Sequence, residues 1–482
     1  MTRWLKIMSG RQVPLLLFSP IFDGIHRRDP PELGGPRELT HGFYDFTAEG
    51  LVDFWLDYEE VWRSSRNLAD YADANPDYPA RYAALSFRAC HSAVVAAQRF
   101  AAEFDGQAPA SWLLGLQSVG DALSSVGATI IQARFESYRR VREAVLEQNL
   151  DSRLVLQSLR PEAISGVSAA RREWCGLLRD ARSTRGLTGG ADWLERIRGY
   201  QERWGWVETD IAIREAPTVH ELATRLAQES EESTGDENVS QDETPGEAGL
   251  KGPPVVQAEL LRQETLFRQH RRETYSQVAS LVMPCLQTVA QELGTPAAFL
   301  RSYTWEELLQ AVASGRALSE SDAFARSSRM ALRYVMGEPV RIVTGTAADA
   351  MRDELGARDD EPDIEQSALW GEVAFPGRVI GTARIVRKVE DVARVRPGDV
   401  FVASQATPQL VAAVLGCIAA IVTDEGDVTS HASLLAWENR IPCIVGTRFA
   451  TRVIGDGERI EVIASDGLFA PGSIVRVSRK QE

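Results

Sequence analysis

"TDEGDVTSHASLLAWENRIPCIVG", Thr423 to Gly446, carries one of only six histidines in a chain of 482 residues. It continues the apolar run "AAIVT", whose length and β-branched content predict a buried strand ending at Thr423. Ser430 is a natural N-cap, so a helix is expected from His431 to just before Ile441-Pro442. His431 then projects from a first turn, beside backbone N–H groups that no carbonyl of the helix satisfies. Those donors and the helix dipole favour an anion and disfavour imidazolium, keeping the ring neutral and nucleophilic near neutral pH. Local features alone leave it open between a phosphoryl-carrying imidazole and a capping or packing histidine.

Working outward, "RVIGTARIV", "DVFVA", "RIEVI" and "SIVRV" are short β-like runs punctuated by Pro-Gly and Asp-Gly turns. Two short helices are expected among them, near Pro408 to Leu415 and Ser430 to Glu438. The result is a compact strand-and-helix domain over residues 371–482, behind a polar connector at 356–370. Upstream the pattern is helical. "LVDFWLDYEEVWRSSRNLADYA", "LLGLQSVGDALSSVGATIIQARFESYRRVREAVLEQN" and "SDAFARSSRMALRYVM" place apolar residues at three- and four-residue intervals. Thr304 and Glu307 predict a capping box at the start of "WEELLQAV". An acidic segment, residues 228–254, holds almost no aliphatics and reads as a disordered insertion. The expected fold class is therefore α+β and multidomain. A mainly α-helical body, residues 1–227 and 255–355, precedes the C-terminal domain.

Length and 44% hydrophobic content allow more than one core. The formal charge of −15 and the absence of a basic run argue against a nucleic-acid partner. Five scattered cysteines, Cys90, Cys175, Cys285, Cys417 and Cys443, form no metal-spaced cluster, so no metal ligands are assigned; they read as small buried hydrophobes in a reducing cytoplasm. The N-terminal apolar run is too short and too soon broken by proline to span a bilayer, so no membrane association is expected.

The segment from Gly371 to about Ser478 resembles the mobile phosphohistidine domain of the enzymes related to phosphoenolpyruvate synthase, pyruvate phosphate dikinase and rifampicin phosphotransferase. The matching residues are Pro376-Gly377 and Gly381, Gly398-Asp399 with "VFVA", Thr407-Pro408, "AAIVTDEG", Thr429-Ser430-His431-Ala432, Ala436, Glu438 and "IPCIVG". The resemblance implies a swivelling β/β/α domain with His431 and Thr429 catalytic and Gly426 and Ser430 binding phosphate. Two positions depart from the pattern: Asp427 replaces a second glycine and Trp437 an arginine. The body is similar, less specifically, to the segment before that domain, through "YQERWGWVETDIAIREAP" and "RRETYSQ". This makes Glu208, Asp210, Arg272 and Glu273 candidates for lining an acceptor pocket, with buried ion pairs between helices the alternative.

Neither a Walker loop nor an ATP-grasp signature is found, and "WRSSRNLAD" sits inside an amphipathic helix pattern. No segment resembles the family's phosphoenolpyruvate-binding barrel. The reading that follows is a split system: a separate ATP-grasp subunit, using ATP and Mg²⁺, loads His431, and a small-molecule acceptor receives the phosphoryl. The connector, about fourteen residues, can extend to roughly 45 Å, enough for a domain that commutes. The alternative is a non-catalytic binding or regulatory protein that retains the domain's fold.

Overall fold

The computed structural model describes residues 4–12, 14–27, 39–47, 51–104, 109–130, 134–150, 155, 159, 166–183, 191–208, 216–231, 249–357, 368–411, 414–428, 430–464 and 471–476. The chain divides into two compact units. One comprises Met1–Pro161 with Gly246–Glu361, the other Glu162–Pro245 with Pro362–Glu482. Residues 162–227, read from sequence as part of the helical body, thus cluster with the C-terminal domain, as does the start of the acidic segment up to Pro245.

The first unit joins helices to a five-stranded antiparallel sheet that the helical reading did not anticipate. Its strands are β1 (Trp4–Gln12), β2 (His41–Phe46), β3 (Leu51–Asp57), β4 (Met330–Val335) and β5 (Arg341–Thr344), in the order β1-β3-β2-β4-β5. Two segments read as helical are corrected here: "LVDFWLD" is β3 and "MALRYV" is β4. In β3, Val52, Phe54 and Leu56 are buried on one face, yet Trp55 is buried on the other, which blurs the period of two. Asp57 then caps α2 (Tyr58–Ala74), its carboxylate accepting from the N–H groups of Glu59 at 2.9 Å and Glu60 at 3.0 Å. Strand and helix abut without a loop, so the apolar period changes in mid-segment.

Helix α1 (Leu15–Arg27) covers one sheet face through Phe22, whose ring lies 3.8 Å from Tyr44. Helices α3 (Tyr78–Glu103), α4 (Pro109–Ala128) and α5 (Arg134–Glu147) complete the first chain segment of this unit. In the second unit come α6 (Gly166–Ser183), α7 (Ala191–Trp204), a 3-10 turn at Gly205–Glu208 and α8 (Val219–Glu231). Returning to the first, α9 (Pro254–Glu292) runs 39 residues and packs along α3 and α5. Then follow α10 (Trp305–Ser314), α11 (Glu320–Ser328) and α12 (Thr346–Leu355). The capping box stands as expected: Thr304 Oγ1 accepts from Glu307 N at 3.2 Å, and Glu307 accepts from Thr304 N at 2.8 Å. The expected insertion is shorter at its near end, since α8 extends to Glu231, and residues 232–248 lie outside the described ones.

In the second unit, β6 (Ala368–Phe375), β7 (Gly377–Ile385), β8 (Val400–Ala403), β9 (Ala420–Thr423), β10 (Cys443–Val445), β11 (Arg459–Ala464) and β12 (Pro471–Arg476) close into a barrel. Strands β7 to β10 run parallel and the other pairings are antiparallel. All four residues of β8 and of β9 are buried, the continuous apolar run of strands covered on both faces. Of the connector at 356–370, residues 358–367 lie outside the described ones, and β6 occupies its last three positions. Helix α13 (His431–Asn439) lies outside the barrel wall. Ala432, Leu435 and Ala436 on it share a core with Phe401, Ile421 and Cys443, and with Val167 and Ala170 of α6. All five cysteines are free thiols and four are buried, Cys417 being half-buried. No described helix is long and apolar enough to cross a membrane.

Candidate functional site

The loop from β9 to α13 is anchored before it reaches the histidine. Asp424, directly after β9, accepts from Thr451 N at 3.0 Å, from Thr451 Oγ1, and from Thr447 Oγ1 at 3.4 Å. Its own N–H donates to Ala403 O at 3.1 Å. Burial pushes this carboxyl above its ordinary value, against the opposing pull of the Thr451 hydrogen bonds. Gly426 follows at φ +106°, a conformation that side chains resist, and a Cβ there would stand 2.9 Å from Ser430 Oγ. The glycine therefore lets the loop fold onto the helix cap.

Ser430 is the N-cap, with extended φ −74° and ψ 164°. Its Oγ accepts from Ser433 N at 3.4 Å, and Ser433 Oγ donates to Asp427 O at 2.7 Å. Ser430 N also donates to Asp427 O at 2.8 Å. The carbonyl of Asp427 thus takes part in the helix cap. His431 is the first residue of α13 and half-buried. It stands where a helix offers unsatisfied N–H groups to an anion.

Further along α13, Trp437 packs edge-on against Phe375, ring centroids 5.1 Å apart, so an aromatic contact replaces the arginine of the family pattern. Ser168 of α6 donates to Glu438, so α13 is tied to α6 beyond their shared apolar core.

The other candidates are dispersed. Thr429 and Asp210 lie outside the described residues, as does the side chain of Glu208, the last residue of the 3-10 turn in the second unit. Arg272 and Glu273 belong to α9 in the first unit. Glu273 is buried and accepts from Gln269 Nε2 at 3.0 Å, one turn back on the same helix. Asp424 was missed as a site residue, although an acid directly after a buried strand inside the quoted stretch was the available signal.

Residues 395–467 match the family described as PEP-utilising enzyme, mobile domain. A probable phosphoenolpyruvate synthase of Archaeoglobus fulgidus is 30% identical over 199 residues, covering 41% of this chain and 26% of the relative. One from Methanothermobacter thermautotrophicus is 32% identical over 129 residues, 26% of this chain and 19% of the relative. The uncharacterized phosphotransferase YvkC of Bacillus subtilis is 34% identical over 118 residues, 24% of this chain and 14% of the relative. The matches thus span about a quarter or less of these relatives' own length. The barrel, with its parallel strands and outer helix starting at His431, is a mobile domain of the PEP-utilising type. The likeness of the chain to the PEP-utilising enzymes is carried by this domain.

Proposed function

We propose that the chain is a phosphotransferase component in which His431 carries a phosphoryl group from a separate ATP-grasp subunit to a small-molecule acceptor. The partner, holding ATP and Mg²⁺, would place the γ-phosphoryl on the imidazole by in-line displacement. The barrel domain would then swivel on its connector and deliver the phosphoryl to the acceptor. Covalent catalysis divides one difficult transfer into two easier ones, and imidazole is a good leaving group once its second nitrogen holds a proton. Gly426 and Ser430 would let backbone N–H groups approach the phosphoryl oxygens, with Thr429 as a further hydroxyl donor. Acceptor contacts from Glu208, Asp210, Arg272 and Glu273 belong to the same proposal. The work would take place in the cytoplasm.

The observation that carries this reading is the position of His431, first in a serine-capped helix directly after a glycine-relieved turn, inside a domain of this family. The test is incubation of the full chain with γ-labelled ATP, Mg²⁺ and an ATP-grasp protein encoded beside it. Acid-labile, base-stable label is expected on the wild type and not on His431→Ala. Equal labelling of both proteins would overturn the assignment, and no label with any such partner would favour a binding or regulatory protein.

A further inference from the structure

A second histidine, in the first unit, is set up for proton transfer. Strand β3 pairs with β2 so that Gly42 faces Leu56, and the chain passes directly from β3 into α2. Glu60, in the first turn of α2, is thereby brought beside the start of β2. Its Oε2 accepts from Thr40 N at 2.8 Å and His41 N at 3.1 Å. Its Oε1 accepts from Thr40 Oγ1 and lies 2.8 Å from His41 Nδ1. Thr40 Oγ1 is also 2.8 Å from His41 Nδ1.

These contacts decide the tautomer. Thr40 gives its only hydroxyl proton to Glu60, so its oxygen can only accept from the imidazole, and an ionised carboxylate can only accept as well. In the neutral ring the proton of His41 therefore sits on Nδ1, which leaves the lone pair on Nε2. The imidazole is more than a third exposed while Glu60 is nearly buried, 38% against 11%. A buried acid orienting a half-exposed imidazole is the arrangement of a general base.

An independent feature lies on the same sheet face. His41 pairs with Val335, Phe43 with Arg333, and Arg333 with Arg341, so His41, Arg333 and Arg341 all project to one side. By this register Arg333 is a diagonal neighbour of His41, about 7–8 Å away along the backbone. Like charges directly across two strands repel. Two other arginines of this unit, Arg329 and Arg352, are both paired with Asp45. Arg333 and Arg341 pair with no carboxylate among the described residues, and Arg333 Nε is buried without an acceptor. Two uncompensated guanidinium groups side by side make a place for an anion, with the forked geometry that suits phosphoryl oxygens.

We infer that His41, Arg333 and Arg341 form the acceptor-side site for a small hydroxyl compound, with Glu60 as a positioning residue. This rests on the phosphotransferase reading and narrows it, because a carboxylate or phosphate acceptor is already ionised and needs no base. In the transfer, the acceptor oxygen bonds to phosphorus as its proton passes to His41 Nε2. The P–N bond to His431 breaks, and its electron pair returns to an imidazole that leaves neutral, with a proton on its other nitrogen. The arginines hold the phosphoryl oxygens throughout.

Two measurements on the full chain test it. In the first, inorganic phosphate is titrated while the ring nitrogens of ¹⁵N-histidine are followed. Wild-type His41 is expected as the Nδ1–H tautomer, with an Nε2 signal that shifts on adding phosphate. Arg333→Gln with Arg341→Gln should weaken that response at least tenfold, and Glu60→Gln should mix the tautomers. An Nε2–H tautomer, or a phosphate response unchanged in the double variant, would overturn the site whether or not His431 is ever phosphorylated.

In the second, His431 is loaded chemically with phosphoramidate and its discharge to glycerol is timed. His41→Gln should load normally and discharge to glycerol about a hundredfold more slowly. Equal discharge to glycerol by both proteins sinks the base alone. Failure of His431 to load sinks the phosphotransferase reading and leaves the phosphate titration to judge the anion site.

Discussion

The two β-structures manage their faces in opposite ways. The barrel of the second unit closes, leaves no edge strand, and buries β8 and β9 entirely, so its strands have only packing to do and its chemistry moves to the loop before His431. The sheet of the first unit stays open. One face packs on α1, and the other is covered by α12 around Phe43, Trp55 and Ala331 while Arg341 remains exposed. Charged groups can then stand on the strands themselves, as Asp45, Arg333 and Arg341 do. A closed barrel confines function to its rim, and a half-covered sheet can carry it on a face.

The sharpest way to break this contrast is to open a cavity against the barrel wall. Phe401 is fully buried in β8, and Phe401→Ala should cost about 3–5 kcal/mol, measured by denaturant unfolding. A loss under 1 kcal/mol would mean that the strand is not the packed wall described. Gly426→Ala asks whether the rim is as tight as the wall. Forcing a Cβ into φ +106° against Ser430 should cost about 1–3 kcal/mol and lower phosphoryl loading of His431 at least tenfold; normal loading would show that the turn need not close on the cap.

Thr304→Ala removes a helix cap in the first unit and should cost about 1 kcal/mol. His431 loading should be unchanged, which separates general destabilisation from damage to the rim. The smallest effect is a pH slope. Asp424 binds its proton more tightly folded than unfolded, so its contribution is fully present below the ordinary carboxylate value and is lost as pH rises through the raised one. Asp424→Asn should flatten the stability curve over that window; an unchanged slope assigns the titration elsewhere.

Much of the barrel was legible because its strands are short, rich in β-branched residues and separated by turn residues, with β8 and β9 apolar throughout. The cap at Ser430 and the box at Thr304 were legible because capping is local: donor and acceptor lie three residues apart. The open sheet was not. Trp55 and Ala331 bury the second face and erase the alternation, and β3 runs into α2 without punctuation. The candidate acceptor site left no motif, since Glu60 and Arg333 stand 273 residues apart and meet only because β4 adds to β2. Nor did local pattern separate residues 162–227 from the helices before them; only their shared core with the barrel did.

By itself, then, the amino-acid sequence determined the elements whose causes are short in range: the barrel strands, the capped helix and the imidazole at its first turn. Tertiary structure alone decided which strands would pair across the chain, and hence that Glu60 orients His41 and that two arginines share its face. Strand pairing brings together residues that no local hydrogen bond or apolar period links, so nothing in the neighbourhood of either partner announces it.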